Sequence, residues 1–316
     1  MKALVATGKP EQLTDSVEFA EIAEPVPAAD EAIVAVEAFS VNRGEVLALT
    51  GAYGSPAEAG WQPGQDVAGL VVQAAADGSG PAAGTRVVGH PEGGGWAEHV
   101  AVPASKLAVL PDAIPSIQAA ALPLAGLTAL RLLRAAGTVA GGRVLLTGAS
   151  GGVGHYLTEL AAGDGAQITA VTSSPERGQR LAELGATAVI QDLADLTGPY
   201  DLILESVGGP AFTAALASLA PGGTVLWYGQ ASLTPVTLDF FGLLGTSPVT
   251  LRHFPHWISD TTDGQDLDTL VSLVAAARLH PEIGRTDDWT QTSTVLADLN
   301  ERRIRGNAVL TIPTDD

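Results

Sequence analysis

The chain has 316 residues, enough for two domains with separate cores, and its 46% hydrophobic content is ordinary for a globular protein. Its 35 acidic side chains against 16 basic ones leave a formal charge of −19, which opposes nucleic acid and anionic membrane as partners because phosphates are repelled. There is no cysteine, so disulfides, thiolate nucleophiles and cysteine-ligated metal are excluded.

The amino-terminal MKALVATG reads as a short apolar strand and lacks the long apolar stretch of a signal peptide. Residues 31–38, EAIVAVEA, alternate as a half-buried strand does, and DVAGLVVQAA, TRVVG and WAEHVAVP follow, broken by Gly, Pro and Asp. No long helix is expected before residue 115, so the first third is a β-rich domain, a partly open barrel. SIQAAALPLAGLTALRLLRAA then reads as helices interrupted at Pro123, and with Pro123 and Gly126 the Ala-rich run is too short to span a membrane. A soluble cytoplasmic protein is the expectation.

From residue 143 short apolar strands (143–147, 167–172, 186–190, 201–205, 224–228) alternate with helical stretches, the pattern of a parallel sheet covered on both faces. A less regular stretch, LDFFGLLGTSPVTLRHFPHW, precedes an amphipathic helix in DLDTLVSLVAAARL and a terminal strand in RRIRGNAVLTI.

The most informative run is RVLLTGASGGVG at 143–154, an apolar strand leading into a turn with Gly148, Gly151, Gly152 and Gly154. Glycines permit a tight backbone path and leave room for a diphosphate, and a helix opening at Gly151, Gly152 and Val153 aims N–H groups at it. A site for NAD commonly ends the next strand with Asp or Glu. Here ITAVTSSPERG offers Thr172, Ser173 and Ser174, with Arg177 one helical turn on. Hydroxyls and a guanidinium suit a 2′-phosphate, so NADPH is expected over NADH. Ser174 before Pro175 also reads as a helix N-cap. The six histidines form no compact ligand pattern; Pro255 argues against a helix in HFPH at 253–256, and surface or loop positions are expected for all of them.

Taken together these segments resemble the quinone oxidoreductase and enoyl reductase-like branch of the medium-chain dehydrogenase/reductase superfamily, along nearly the whole chain. VEAFSVNRGEVLALTGAYG resembles the segment lining the active site, and PGQDVAGLVV the glycine-rich core stretch where zinc alcohol dehydrogenases carry Gly-His-Glu; Gly64-Gln65-Asp66 stands here. LPLAGLTALRLL resembles the helix reaching the cofactor, with Thr128 near the nicotinamide. ESVGG with Val207 and VLWYG with Gly229 resemble strand ends lying against the dinucleotide, and RGNAVL with Asn307 the carboxy-terminal segment. The resemblance implies an α/β protein. Its GroES-like catalytic domain would be built from 1–122 and 280–316, the tail returning to it, and its Rossmann-type NADPH-binding domain, a doubly wound parallel sheet, from 123–279.

The implied activity is NADPH-dependent hydride transfer, without zinc, to a quinone or to the conjugated C=C of an α,β-unsaturated ketone. Asn42 and Tyr53 are the candidate catalytic donors, Asn42 for positioning and Tyr53 as a hydroxyl aimed at the oxygen that gathers charge. Two other readings stay open: a reductase of enoyl thioesters or cyclic enones in a biosynthetic pathway, and an NADPH-binding sensor or structural protein without turnover. A homodimer is expected, hiding the apolar segment Leu238–Leu244 beside the edge of the sheet.

Overall fold

The computed structural model describes residues 1–9, 11–239, 241 and 248–313. The chain divides into two units, one comprising Met1–Leu127 with the chain from Asp260 onward, the other Thr128–Ser259.

In the first unit, Lys2–Ala6 (β1) and Val17–Glu21 (β2) pair as an antiparallel ribbon. The alternating segment becomes Glu31–Val41 (β3), whose second half is almost continuously buried because helices cover the outer face. Val67–Gln73 (β4), Arg86–Gly89 (β5), His99–Pro103 (β6), Leu107–Val109 (β7), Ile283–Asp288 (β14) and Asn307–Thr311 (β15) complete a seven-stranded sheet ordered β14-β15-β3-β4-β5-β7, with β6 also on β3. The terminal strand thus returns to the first unit, antiparallel to β3 with Val309 opposite Ser40. Around it Phe39, Val67, Val102, Val295 and Leu310 form one apolar core. Trp96, fully buried, stacks on Phe39 at 5.6 Å between centroids and donates its Nε1–H to Ser40 O at 3.1 Å.

Residues 43–50, which carry no helical pattern of note, form a helix, Arg43–Thr50 (α1). It closes at Gly51, whose φ of +79° is the left-handed conformation that glycine adopts without strain. The break at Pro123 separates Ser116–Ala120 (α2) from Pro123–Ala136 (α3), and the division between the units falls inside α3.

The second unit is a six-stranded, wholly parallel sheet. Its strands are Arg143–Leu146 (β8), Gln167–Val171 (β9), Ala188–Ile190 (β10), Tyr200–Glu205 (β11), Leu219–Trp227 (β12) and Thr250–His253 (β13), in the order β10-β9-β8-β11-β12-β13. Gly152–Gly163 (α4), Pro175–Glu183 (α5) and Gly209–Leu216 (α6) connect them. The strand order reverses between β8 and β11, and in open α/β sheets ligands bind beyond the strand ends at such a switch point. β13 lies in the stretch that read as irregular. All four of its residues are exposed, so it carries no apolar signal.

The amphipathic helix, Asp263–Ala275 (α7), packs on β5 and β7, which is why the chain rejoins the first unit at Asp260, ahead of position 280. Thr290 precedes a last helix, Thr292–Asn300 (α8), against the same core.

Replacing Trp96 with Ala removes the largest fully buried side chain of the first unit and its hydrogen bond. Equilibrium denaturation should show a loss of about 3–5 kcal/mol in unfolding free energy.

Candidate active site

The glycine turn follows β8 and ends at Gly151, the N-cap of α4. Gly148 has φ +62°, and a Cβ built there would lie 2.5 Å from Ser206 Oγ; a Cβ on Gly154 would lie 2.3 Å from Ala149 O. Gly151, by contrast, has only Gly148 O at 3.5 Å beside its Cβ position. The turn is therefore closed toward the protein and open on its outer side, where the half-buried Gly151, Gly152 and Val153 begin α4. That is the shape a diphosphate cradle requires.

Hydrogen bonds join this turn to the loop after β11. Ser206 N–H donates to Thr147 Oγ1 at 3.0 Å, and Ser206 Oγ–H to Thr147 O at 3.2 Å. Beneath them the buried Glu205 accepts from Thr147 Oγ1 (3.1 Å), Val207 N–H (2.9 Å) and Gly208 N–H (3.0 Å). Burial raises its carboxyl above the ordinary value, while these donors pull the other way. Val207 N–H is thus turned inward. Gly229 packs on Ser206 and accepts from Trp227 Nε1–H at 2.6 Å.

The end of β9 carries exposed Ser173 and half-buried Ser174 and Arg177. Ser174 caps α5 as read from the sequence, its Oγ accepting from Arg177 N–H. Arg177 Nε–H reaches back to Ser150 Oγ at 3.0 Å, so the structure brings this cation to the glycine turn. Thr128 is buried on α3.

In the first unit, Asp66 is fully buried and gathers four segments. Ser40 Oγ–H (2.5 Å) and Asn42 Nδ2 (2.8 Å) donate to its Oδ2, while Leu124 N–H (2.9 Å) and His90 Nδ1 (3.3 Å) reach Oδ1. His90 Nδ1 also lies 2.7 Å from Gln65 O. Asn42 Nδ2 donates again to Ser40 Oγ at 3.0 Å. Both amide hydrogens of Asn42 are committed inward, so its part is to fix the start of α1. Tyr53 is 70% exposed as a residue, while its hydroxyl oxygen sits beside the start of α1, 3.9 Å from where a Cβ on Gly44 would be. Desolvation, then the nearby Glu45, raise the Tyr53 phenol above its ordinary value, which keeps the proton on the oxygen.

Glu45 is the group that sequence reading passed over. It is buried, its Oε2 accepts Asn42 N–H at 2.9 Å, and its Oε1 has no hydrogen-bond partner. Burial, with Asp66 adding to it, pushes its carboxyl up to about 8. The signal was present, because Asn42 and Glu45 have the spacing of a capping box. Ser40 and His90 come from distant segments, and no local pattern joins them to Asp66. His90 and His155, expected at the surface or in loops, are buried, His90 by this network and His155 within α4, where its Nδ1 meets Gly151 O. Asn307 is also buried, its Nδ2 donating to Glu282 O at 3.0 Å. Among the described residues no group of three or more His, Cys, Asp or Glu side chains is placed to hold a metal ion, and no helix is long and apolar enough to cross a membrane.

Two family models match the chain: the alcohol dehydrogenase GroES-like domain over residues 28–112 and the zinc-binding dehydrogenase over 152–276. The chain is 34% identical over 230 residues to the chloroplast envelope quinone oxidoreductase homolog of Arabidopsis thaliana, covering 66% of this chain and 69% of that protein. It is 28% identical over 249 residues to the mitochondrial NAD(P)H oxidoreductase RTN4IP1 of Bos taurus; the match spans 69% of this chain but only 61% of the bovine protein's length. A mycobacterial protein solved in complex with NADPH superimposes with a TM-score of 0.88 at 28% identity, over 98% of this chain and all of that one. The chain belongs to the medium-chain dehydrogenase/reductase superfamily, in its zinc-independent, quinone-oxidoreductase-like branch.

Glu45 sets a pH dependence whose sign follows from its raised value. The carboxyl has its ordinary value near 4.5 in the unfolded chain and about 8 in the folded one. Below the first value it is protonated in both states and its contribution to stability is fully present. Between the two only the folded state keeps the proton, so that contribution is lost as pH rises toward 8. Urea unfolding of the wild type from pH 5 to 8.5 should show a steeper decline than Glu45→Gln, which cannot titrate. Parallel curves would remove the assignment.

Proposed function

We propose that the protein is an NADPH-dependent reductase that transfers hydride to a quinone or to the conjugated C=C of an α,β-unsaturated ketone, without zinc. The observation that carries this is the end of β9, where two serines and Arg177, bonded to Ser150 of the glycine turn, stand where an acidic residue would select NADH. The cradle fits a diphosphate because its glycines leave no room inward and space outward. The name of the Arabidopsis relative and the NADPH of the mycobacterial structure support the same reading.

The N–H groups of Gly152 and Val153 would receive the diphosphate, and Ser173, Ser174 and Arg177 the 2′-phosphate. Thr128, Val207, Gly229 and Asn307 are assigned to the cofactor on family resemblance; the Asn307 amide and the Val207 N–H are already engaged, which leaves packing or other backbone atoms to make the contact. Bound NADPH supplies the hydride. Tyr53 donates its hydroxyl hydrogen bond to the acceptor oxygen on which charge gathers, and Asn42, clamped by Ser40 and Asp66, holds the helix start from which that segment leads. The final proton comes from Tyr53 or from water. A cytoplasmic setting accords with a cysteine-free, acidic chain.

We also propose a two-fold dimer formed at β13. This strand ends the sheet, its residues are exposed, and Leu251 is among them. An edge of this kind is a template for pairing. Of the apolar segment Leu238–Leu244, residues 240 and 242–244 lie outside the described residues, while Leu238 and Phe241 are exposed.

Three measurements test these readings. Arg177→Ala should weaken NADPH binding by about 1.5–3 kcal/mol, the worth of a hydrogen bond to a charged group, and leave NADH nearly unchanged; equal loss for both cofactors would refute the 2′-phosphate contact. NADPH labelled at the transferred hydrogen should deliver label to the carbon of an enone and be oxidised by quinones. Efficient reduction of simple ketones with no enone or quinone turnover would make the protein a carbonyl reductase instead. Light scattering at micromolar concentration should give twice the 32.1 kDa chain mass; a particle of one chain defeats the dimer.

A further inference from the structure

In the second unit one side-chain hydrogen bond joins the glycine turn to the end of β9. Ser150, within the turn, is buried, and its Oγ accepts Arg177 Nε–H at 3.0 Å. Both sides of that bond are fixed by the backbone. Ala149 N–H donates to Val171 O at 3.1 Å, which ties the turn to the last residue of β9, and Gly151 N–H donates to Gly148 O at 3.1 Å. On the other side the Ser174 cap accepts Arg177 N–H, and Thr172 Oγ1–H donates to Ser174 O at 2.9 Å. A Cβ on Gly178 would lie 2.4 Å from Val189 Cγ1, so α5 sits against β10 with no slack. The base of the Arg177 side chain and its Ser150 partner are therefore held in place independently of each other.

An arginine side chain is long and loses rotamer freedom when it takes up a phosphate. Its five N–H groups share one rigid plane, so a bond made at Nε beforehand sets the tilt of that plane and removes part of the ordering cost of binding. The open end of α5 does not select a phosphate by itself, because it already carries an anion: Glu176 accepts from its own N–H and from the Ser174 hydroxyl. Selection falls to the cation and to the group that aims it. Ser150 stands on the turn assigned to the diphosphate, not at the end of β9. Its backbone serves NADPH and NADH alike, while its side chain serves the cation.

We infer that Ser150 is a positioning residue for cofactor choice: its hydroxyl holds the Arg177 guanidinium for the 2′-phosphate and thereby couples the diphosphate turn to the end of β9. The inference rests on the assignment of Arg177 to the 2′-phosphate and adds a residue that acts through Arg177 rather than on the cofactor. It makes the preference for NADPH a property of two segments, the turn after β8 and the start of α5, where the set of residues at the end of β9 would place it in one.

The test is a double-mutant cycle on the full chain, with NADPH, NADH and adenosine 2′-phosphate titrated calorimetrically into the wild type, Ser150→Ala, Arg177→Ala and the double variant at one pH and ionic strength. Ser150→Ala should weaken NADPH about 3- to 10-fold, the worth of one hydrogen bond, and NADH by less than about twofold. Retained NADH binding also shows that the variant is folded. Adenosine 2′-phosphate, which carries no diphosphate, should weaken by the same factor as NADPH. In the Arg177→Ala background Ser150→Ala should cost NADPH nothing further, because the two residues act as one unit. Equal weakening of NADPH and NADH by Ser150→Ala overturns the inference, since the hydroxyl would then serve only the shape of the turn. Strictly additive losses in the cycle, or adenosine 2′-phosphate indifferent to Ser150→Ala, overturn it as well. The reading beneath it fails in a different way. A selective NADPH loss in Arg177→Ala with Ser150→Ala silent sinks the positioning role and leaves the 2′-phosphate contact. An Arg177→Ala loss equal for both dinucleotides sinks the contact and the positioning role together.

Discussion

The buried carboxylate of Asp66 is the constraint on which the first unit's functional surface depends. A carboxylate out of water is costly unless its oxygens are fully hydrogen-bonded. Asp66 meets that demand only by drawing together the end of β3 through Ser40, the N-cap of α1 through Asn42, the residue after β5 through His90 and the start of α3 through Leu124 N–H. With α1 fixed at its first residue and closed at Gly51, the loop that follows has one path, and Tyr53 and Trp61 come to line the same groove. In a segment where zinc alcohol dehydrogenases carry Gly-His-Glu, hydrogen bonds organise the chain.

The second unit uses the same device. Glu205, buried at the end of β11, accepts from Thr147 on the glycine turn and from Val207 and Gly208 on the neighbouring loop. It holds the two loops at the switch point of the sheet in register. The turn that would hold diphosphate is thus rigid before any ligand arrives, which lowers the ordering cost of binding. Arg177, bonded to Ser150, is likewise placed in advance. Glu45 is the exception to this economy. One of its oxygens accepts from Asn42 N–H and the other has no partner, and burial, with Asp66 adding to it, raises its carboxyl.

Much of the fold was legible because it is periodic. The parallel strands of the second unit are short apolar runs between helices, and β8 through β11 stand within a residue or two of where the pattern put them. The N-cap at Ser174 and the break at Pro123 were equally plain, since both are local. What escaped was structure without an apolar signature. β13 is exposed on all four residues, and α1 is short with a weakly amphipathic sequence. α7 was read as a helix, yet its attachment to β5 and β7 depends on partners more than a hundred and fifty residues away, and no local pattern encodes that.

By itself the amino-acid sequence determined the order of elements, the glycine turn, the absence of cysteine chemistry and the set of residues at the end of β9, because each follows from a local rule of backbone or side-chain chemistry. Only the tertiary structure decided which of those residues act together. It committed both amide hydrogens of Asn42 to Ser40 and Asp66, placed the Tyr53 hydroxyl beside Gly44 at the start of α1, brought His90 inside and joined Arg177 to Ser150. The physical reason is the same in each case: a buried polar group must find a partner, and the partner it finds is set by which distant segments the core packs beside it.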